Sequence, residues 1–299
     1  MLQKTSRRTF LAGFGAIATA GLMPRAEARA TMKDLQFGCA AITWGDAQRQ
    51  AIDDIAALGF RGIQFRPAVM DSFRPAELRD LLQRRNLRFT ALSSSEVKLD
   101  TNPAEEIARH VANAQYVKDC GGLYLQLIDK LQSYPRRTTP AECEQLGRFL
   151  TEIGKRAADL GVAAGYHNHL NSLSETPAGL AMVLSAADPR YVKFELDTAH
   201  AVAGGADPAK LIEKYRDRLL FLHLKDVIDQ PGAPGHPFQF VELGRGRVDI
   251  PAVFAALQAA DYRGWVVVEL DRVPDASGSP KQSALISRNY LEQTLGVKF

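Results

Sequence analysis

Val162–His169 reads VAAGYHNH, Tyr191–His200 reads YVKFELDTAH, Leu219–Asp226 reads LLFLHLKD and Trp265–Leu270 reads WVVVEL. Each is a short apolar run that closes on a residue able to bind a metal. Runs of this length, separated by amphipathic segments, are expected as buried parallel strands. Laid side by side, they bring His167, Asp197, His223 and Glu269 to one end of the sheet. Nitrogen and carboxylate ligands of this kind suit a divalent ion such as Mn²⁺, Co²⁺, Zn²⁺ or Mg²⁺. A lone Asp or His at a strand end is usually a cap or a core hydrogen-bonder. Four of them on four successive strands shift the expectation to a metal centre.

The same alternation runs outward from these four segments. Strands are predicted at Leu35–Ile42, Gly62–Phe65, Leu87–Leu92, Leu123–Leu127, Val162–His167, Tyr191–Leu196, Leu219–His223 and Trp265–Leu270. Amphipathic helices fit between them, among them Ala47–Leu58, Pro75–Arg84, Pro103–Cys120, Pro140–Leu160 and Pro251–Ala260. Proline recurs where a helix should begin, at Pro75, Pro103, Pro140, Pro177, Pro208 and Pro251, because its missing N–H costs nothing in the first turn. Gly59 and Gly161 follow helices as C-terminal caps.

Eight strands alternating with helices predict an α/β fold, a single (β/α)₈ TIM barrel over residues 31–299. No glycine-rich dinucleotide fingerprint follows the first strand, which disfavours an open doubly wound sheet. In a barrel the strand C-termini carry the site, so ligands come from separate strands without a fixed short spacing. One long irregular connection, Val227–Arg247, follows the seventh strand at that face. It contains Pro231, Gly232, Pro234, Gly235 and Pro237 and reads equally as a lid or as a solvated surface loop.

Residues 1–30 read as a targeting segment to be left out of the fold. Ser6-Arg7-Arg8-Thr9-Phe10-Leu11 resembles a twin-arginine export signal; the apolar stretch Ala12–Met23 and small residues around Ala26–Ala30 follow it. The stretch is short and glycine-bearing for a hydrocarbon core of about 30 Å, so cleavage by the export route and a periplasmic location are expected rather than stable membrane insertion. Without these residues, which hold five Lys/Arg and one Glu, the formal net charge of +3 becomes −1. A near-neutral domain has no electrostatic footprint for nucleic acid. The three cysteines, Cys39, Cys120 and Cys143, show no CxxC spacing and read as buried or idle thiols.

Several longer motifs carry a family resemblance. They are Tyr166-His167-Asn168-His169 with Glu175-Thr176, Leu196-Asp197-Thr198-Ala199-His200, Ala203-Gly204-Gly205-Ala206-Asp207-Pro208, His223-Leu224-Lys225-Asp226, Leu243–Asp249 and Tyr262–Glu269. On these the chain resembles the xylose-isomerase-like TIM-barrel superfamily, the sugar isomerase/epimerase group, and within it the inosose dehydratase-like branch. The resemblance covers Val162 to the C-terminus well and earlier residues only in pattern. It implies a divalent metal on His167, Asp197, His223 and Glu269. Many relatives carry a glutamate where this chain has His167, which puts a two-carboxylate epimerase mechanism in doubt and leaves Glu175 as a replacement. After Glu269 the chain reads Leu270-Asp271-Arg272-Val273-Pro274 where that branch usually carries Gln-Asp-Pro.

The chemistry follows from the ligand set. A metal that polarises a ketone and its neighbouring hydroxyl acidifies the α-carbon. One base then removes the proton, and either the proton returns or a β-hydroxyl leaves. Glu269, His200, His169, Lys225 and Glu175 are the candidate acids and bases. An ion pair with Asp226 is the competing role for Lys225. Trp44, Gln64, Arg66 and Glu96 are candidate contacts for a small carbohydrate or polyol substrate, Trp44 by stacking on a sugar face. The expected protein is an exported, metal-dependent sugar isomerase, epimerase or dehydratase. The alternative is a periplasmic carbohydrate-binding barrel without turnover. A DNA-repair nuclease is disfavoured, because the chain has only six histidines and His110 and His236 lie away from the convergent set.

Overall fold

All four residues of Trp265–Val268 are buried, as expected of a strand covered by helices outside and by side chains inside. The computed structural model describes residues 34–129, 138–230 and 237–299. Seven parallel strands come first: β1 (Gln36–Ala40), β2 (Gly62–Phe65), β3 (Arg88–Val97), β4 (Tyr124–Asp129), β5 (Ala163–His167), β6 (Val192–Asp197) and β7 (Leu219–Leu224). An antiparallel hairpin of β8 (Asp226–Asp229) and β9 (Phe238–Val241) precedes the last barrel strand, β10 (Trp265–Val268). Strand β10 pairs with both β7 and β1 and closes the barrel.

The helices are α1 (Gln48–Ala57), α2 (Val69–Ser72), α3 (Pro75–Arg84), α4 (Pro103–Asp119), α5 (Pro140–Asp159), α6 (Pro177–Ala186), α7 (Thr198–Ala203), α8 (Pro208–Tyr215), α9 (Ile250–Ala259) and α10 (Pro280–Leu295). Their starts are written locally. Proline occupies the first or second position of α3, α4, α5, α6, α8, α9 and α10. Thr139 and Glu142 form a reciprocal capping box on α5, which satisfies N–H groups the helix itself cannot. Gly59 and Gly161 take φ of +83° and +79° after α1 and α5, the left-handed conformation that ends a helix most cheaply in glycine.

The structure corrects three sequence expectations. Strand β1 stops at Ala40, because Ala41–Trp44 coils into a 3₁₀ turn. Strand β3 continues past Leu92 to Val97 and so carries Ser93 and Glu96 up to the mouth of the barrel. The connection after β7 is not irregular: Asp226–Asp229 pairs with Phe238–Val241. Its prolines and glycines mask two short strands rich in Val, Ile and Phe. His236, the signal at residues 1–30 and its cleavage region lie outside the described residues. Among the described residues no helix is long and apolar enough to cross a membrane. The three cysteines are buried thiols.

The barrel is plugged below its C-terminal end. Phe221, Trp265, Val267, Ala40 and Ala91 form one apolar cluster, and the Tyr124 ring stacks on Phe221 at 5.3 Å. Gly62 makes room for the Trp265 indole, which a Cβ there would meet at 2.4 Å. Successive side chains of a strand point to opposite faces, so residues two further along the same strands point into the barrel above this plug. Those residues are His223 above Phe221 and Glu269 above Val267.

Candidate metal centre

Register places the four ligand candidates together. Asp197 pairs with His223 across β6 and β7, and His223 pairs with Val267 of β10, two residues before Glu269. Ligand atoms of His167, Asp197 and His223 all lie within 4.8 Å of one another. Glu269 Oε2 is 3.3 Å from His223 Nδ1, so the eighth-strand carboxylate adjoins the same three.

The surroundings fix these side chains. The Asn168 amide accepts the Asp197 N–H at 2.8 Å and donates to the Asp197 carbonyl at 3.1 Å, which locks the ends of β5 and β6 together. Asp197 Oδ1 accepts the His200 N–H at 2.8 Å as the N-cap of α7. Its Oδ2 is buried with no hydrogen-bond partner. His223 Nε2 lies 2.8 Å from Gln64 Oε1 and 2.9 Å from Glu195 Oε1, both acceptors, so this nitrogen carries the proton. Gln64 in turn donates to Gln126 at 2.6 Å. With Nε2 engaged, His223 Nδ1 is left toward Asp197 and Glu269, again buried and without a hydrogen-bond partner. A hydrogen bond on the far ring nitrogen is how proteins select the tautomer of a metal-ligating histidine.

These orphaned atoms test the fit to a cation. His167 Nδ1, Asp197 Oδ2 and His223 Nδ1 are buried without hydrogen-bond partners, with the Glu269 carboxylate 3.3 Å from the last of them. Unpaired buried polar atoms cost on the order of 1–3 kcal/mol each, and more when charged. A divalent ion facing two imidazoles and two carboxylates would relieve that cost. The donor set therefore fits a metal, and its mixed N/O chemistry does not select one.

The electrostatics are those of an acidic pocket around one lysine. Burial alone would disfavour the ammonium of Lys225, but Asp271, Glu269 and Asp197 more than reverse this and hold it protonated. Its Nζ is 2.5 Å from Asp271 Oδ1 and 3.0 Å from Glu269 Oε1, and it sits 4.2 Å over the Phe240 ring. Burial would likewise push Glu269 up; His223 and Lys225 overcome it and keep the carboxyl well below its usual range. Asp197 is lowered against burial by Lys225 and His223. For His223, burial opposes the charged form, while Glu269 and Glu195 carry its pKa well above the ordinary value. His169 and His200 go the other way. Burial, then the neighbouring His167, lowers His169 to about 3, and burial with His169 holds His200 well below its ordinary value.

The remaining candidates divide clearly. His167, Glu269, His169, Gln64, Arg66 and Glu96 line one cavity of about 440 Å³. His200 lines an adjoining cavity, with its ring 3.7 Å from that of His169. Trp44 does not stack in either: it is buried in the core with its indole N–H donating to Asp54 at 3.0 Å. Glu175 is held in its loop, where its carboxylate accepts the Asn171 N–H at 2.7 Å. Lys225 does not pair with Asp226. The Asp226 carboxylate instead accepts the N–H groups of Val227, Gly244, Gly246 and Val248 and ties down the hairpin and the loop after it.

Sequence reasoning missed Glu195, Gln126, Asp271 and Phe240 as parts of the site. Glu195 was legible in principle. Once Asp197 faces inward, the period of two puts Glu195 on the same face, a fully buried acid between Phe194 and Leu196. Asp271 and Phe240 carry no such local signal.

A closed eight-stranded parallel barrel with a His/Asp/Glu cluster at its C-terminal face defines a class of barrel built to work on a small ligand at that end. The chain belongs to the xylose isomerase-like TIM barrel family, whose model matches residues 52–293. Among curated relatives, the inosose dehydratase of Lacticaseibacillus casei is 27% identical over 297 residues, spanning 88% of this chain and 98% of that protein. The fold matches IOLI protein, solved with a bound zinc atom, with a TM-score of 0.72 and 18% identity over 88% of this chain and 99% of that one. It also matches D-allulose 3-epimerase from Methylomonas sp., solved with D-allulose, with a TM-score of 0.69 and 22% identity over 87% and 96%.

Proposed function

We propose that this chain is a divalent-metal-dependent enzyme of the sugar isomerase/epimerase/dehydratase type that removes the proton beside the ketone of a keto-sugar or keto-polyol. The observation that carries this reading is the set of orphaned donor atoms on His167, Asp197 and His223, with Glu269 beside them. An ion held by these four residues would supply Lewis acidity to a ketone and its neighbouring hydroxyl.

The chain's own residues supply the rest. His169 Nδ1 lies 2.6 Å from the Leu170 carbonyl, which can only accept, so the neutral ring keeps its lone pair on Nε2. Held neutral by burial, this ring can accept a hydrogen bond from a substrate hydroxyl at the cavity wall, while the ionised Glu269 carboxylate in the same cavity is the candidate proton acceptor. Lys225 is sealed from the cavity and does not touch substrate. It holds Glu269 ionised at 3.0 Å and pairs with Asp271 at 2.5 Å. With His167 at the end of β5, the carboxylate pair of a two-base epimerase is incomplete. Together with the dehydratase relatives, this favours loss of a β-hydroxyl after a single proton abstraction.

The test is incubation of the purified protein with an inosose, or another keto-polyol, in D₂O with each of Mn²⁺, Co²⁺, Zn²⁺ and Mg²⁺, followed by NMR. Loss or exchange of the α-proton is expected with at least one ion. Turnover without either result, or no reaction with any of the four ions across a panel of keto-sugars, would count against the reading. Export is proposed on Ser6–Leu11 and the apolar stretch after it. A fusion of residues 1–30 to a reporter should reach the periplasm, and a twin-lysine replacement of Arg7 and Arg8 should keep it in the cytoplasm.

A further inference from the structure

Two cavities open side by side at the C-terminal face of the barrel and share His169, Asp271 and Arg272 as common wall. The first, of about 440 Å³, contains His167 and Glu269 of the ligand set. The second, of about 560 Å³, contains none of the four ligand candidates among its lining residues. Either volume alone falls within the roughly 300–1,000 Å³ of small-molecule sites. A single ring reacting beside Glu269 uses only the first.

The second cavity has the chemistry of a ring site. Phe238 and Phe240 line it with their centroids 5.6 Å apart, and Asn171, Gln230 and Gln239 line it too, the Gln230 amide donating to Gln239 Oε1 at 2.7 Å. Aromatic surface suits the C–H face of a sugar or an aryl ring, and amides can both donate to and accept from hydroxyls. Phe240 packs against the Lys225 ammonium at 4.2 Å and the His200 ring at 4.9 Å. Its position is therefore fixed before a ligand arrives, which limits the entropy lost on binding.

We propose that the substrate is a keto-glycoside, with its keto ring in the first cavity and a second ring, joined through a glycosidic oxygen, in the second. The position of the reacting ring rests on the function proposed above. The polar wall of His169, Asp271 and Arg272 between the cavities suits the hydroxyl-flanked linkage between two rings.

Binding and turnover can be read separately. Methyl glucoside, methyl cellobioside and methyl maltoside carry no free carbonyl, so their binding to the metal-loaded protein is read without turnover. Calorimetry should find at least one of the two-ring glycosides bound about tenfold or more tighter than methyl glucoside. That ratio should fall to within about threefold in Phe238→Ala and shrink in Gln239→Ala, with thermal denaturation confirming that both variants are folded. Equal affinity for one and two rings in the unaltered protein, or a ratio that survives both substitutions, would overturn the proposal. Solvent-deuterium exchange on 3-keto-glucose and 3-keto-cellobiose reports the proposed chemistry. Its absence with both compounds would sink the enolisation reading, while a two-ring advantage in calorimetry would still support the second-ring site.

Discussion

The Glu195 carboxylate lies 2.9 Å from Nε2 of His223, on the opposite side of the imidazole from the atom that faces Asp197 and Glu269. The pair is fully buried and spans the two strands that supply two of the four ligand candidates. A carboxylate behind a histidine raises the basicity of its other nitrogen and fixes its orientation. Glu195→Gln keeps the volume and removes the charge. Its affinity for added Zn²⁺ should drop about 10- to 100-fold relative to the unaltered protein. Competition with a fluorescent chelator measures this, and unchanged affinity would remove Glu195 from the centre.

Asp197 has two separable roles, because one oxygen caps α7 and the other faces the site. Asp197→Asn retains an N-cap acceptor, whereas Asp197→Ala loses it at a cost of about 1 kcal/mol. Both variants should lose metal at stoichiometric loading, measured by mass spectrometry of the dialysed protein. Only the alanine variant should show the added instability in the metal-free state by urea denaturation. Full occupancy in both would show that the ion binds elsewhere.

Lys225→Met leaves Glu269 and Asp271 buried or half-buried with no ammonium between them. Breaking a buried pair from one side costs roughly 3–5 kcal/mol. Urea midpoints should fall accordingly in the metal-free protein, and less with saturating Mn²⁺, whose charge substitutes in part. A loss that is the same with and without metal would mean that Lys225 and the ion do not share these carboxylates.

His110 gives a pH signature away from the centre. It is fully buried against Ser94 and Glu106, and burial followed by Arg109 lowers its pKa to about 4. Its folded-state pKa is thus below the unfolded value of about 6.5. The unfolded chain takes the proton first as pH falls, so the stability this group contributes is complete above pH 6.5. It is lost progressively as the pH drops toward 4, by roughly 3 kcal/mol. His110→Gln should flatten that part of the stability curve relative to the unaltered protein. Parallel curves would refute the assignment.

Much of this architecture was legible one segment at a time. Proline and capping residues announce helix starts, and Gly59 and Gly161 announce two stops, because these effects act within a single turn. The four apolar runs announce strands, and their terminal His167, Asp197, His223 and Glu269 announce a site, because a parallel barrel gathers strand ends at one face. The short hairpin was not legible, since four-residue strands flanked by Pro231 and Pro237 are too brief to outweigh the turn residues between them. Trp44 was misplaced because only the folded 3₁₀ turn sets its indole against Asp54.

The sequence by itself thus determined the barrel, the proline-marked starts of several helices and the choice of ligand candidates, all of which follow from local periodicity and strand-end chemistry. Only the tertiary structure decided that Gln64 reaches His223 across 159 residues, that Lys225 serves Glu269 and Asp271 rather than Asp226, and that the Phe240 ring packs on the Lys225 ammonium. The physical reason is barrel closure. Side chains that meet across the interior belong to strands distant in the chain, and nothing in the local spacing of either residue records which partner the closed ring will bring to it.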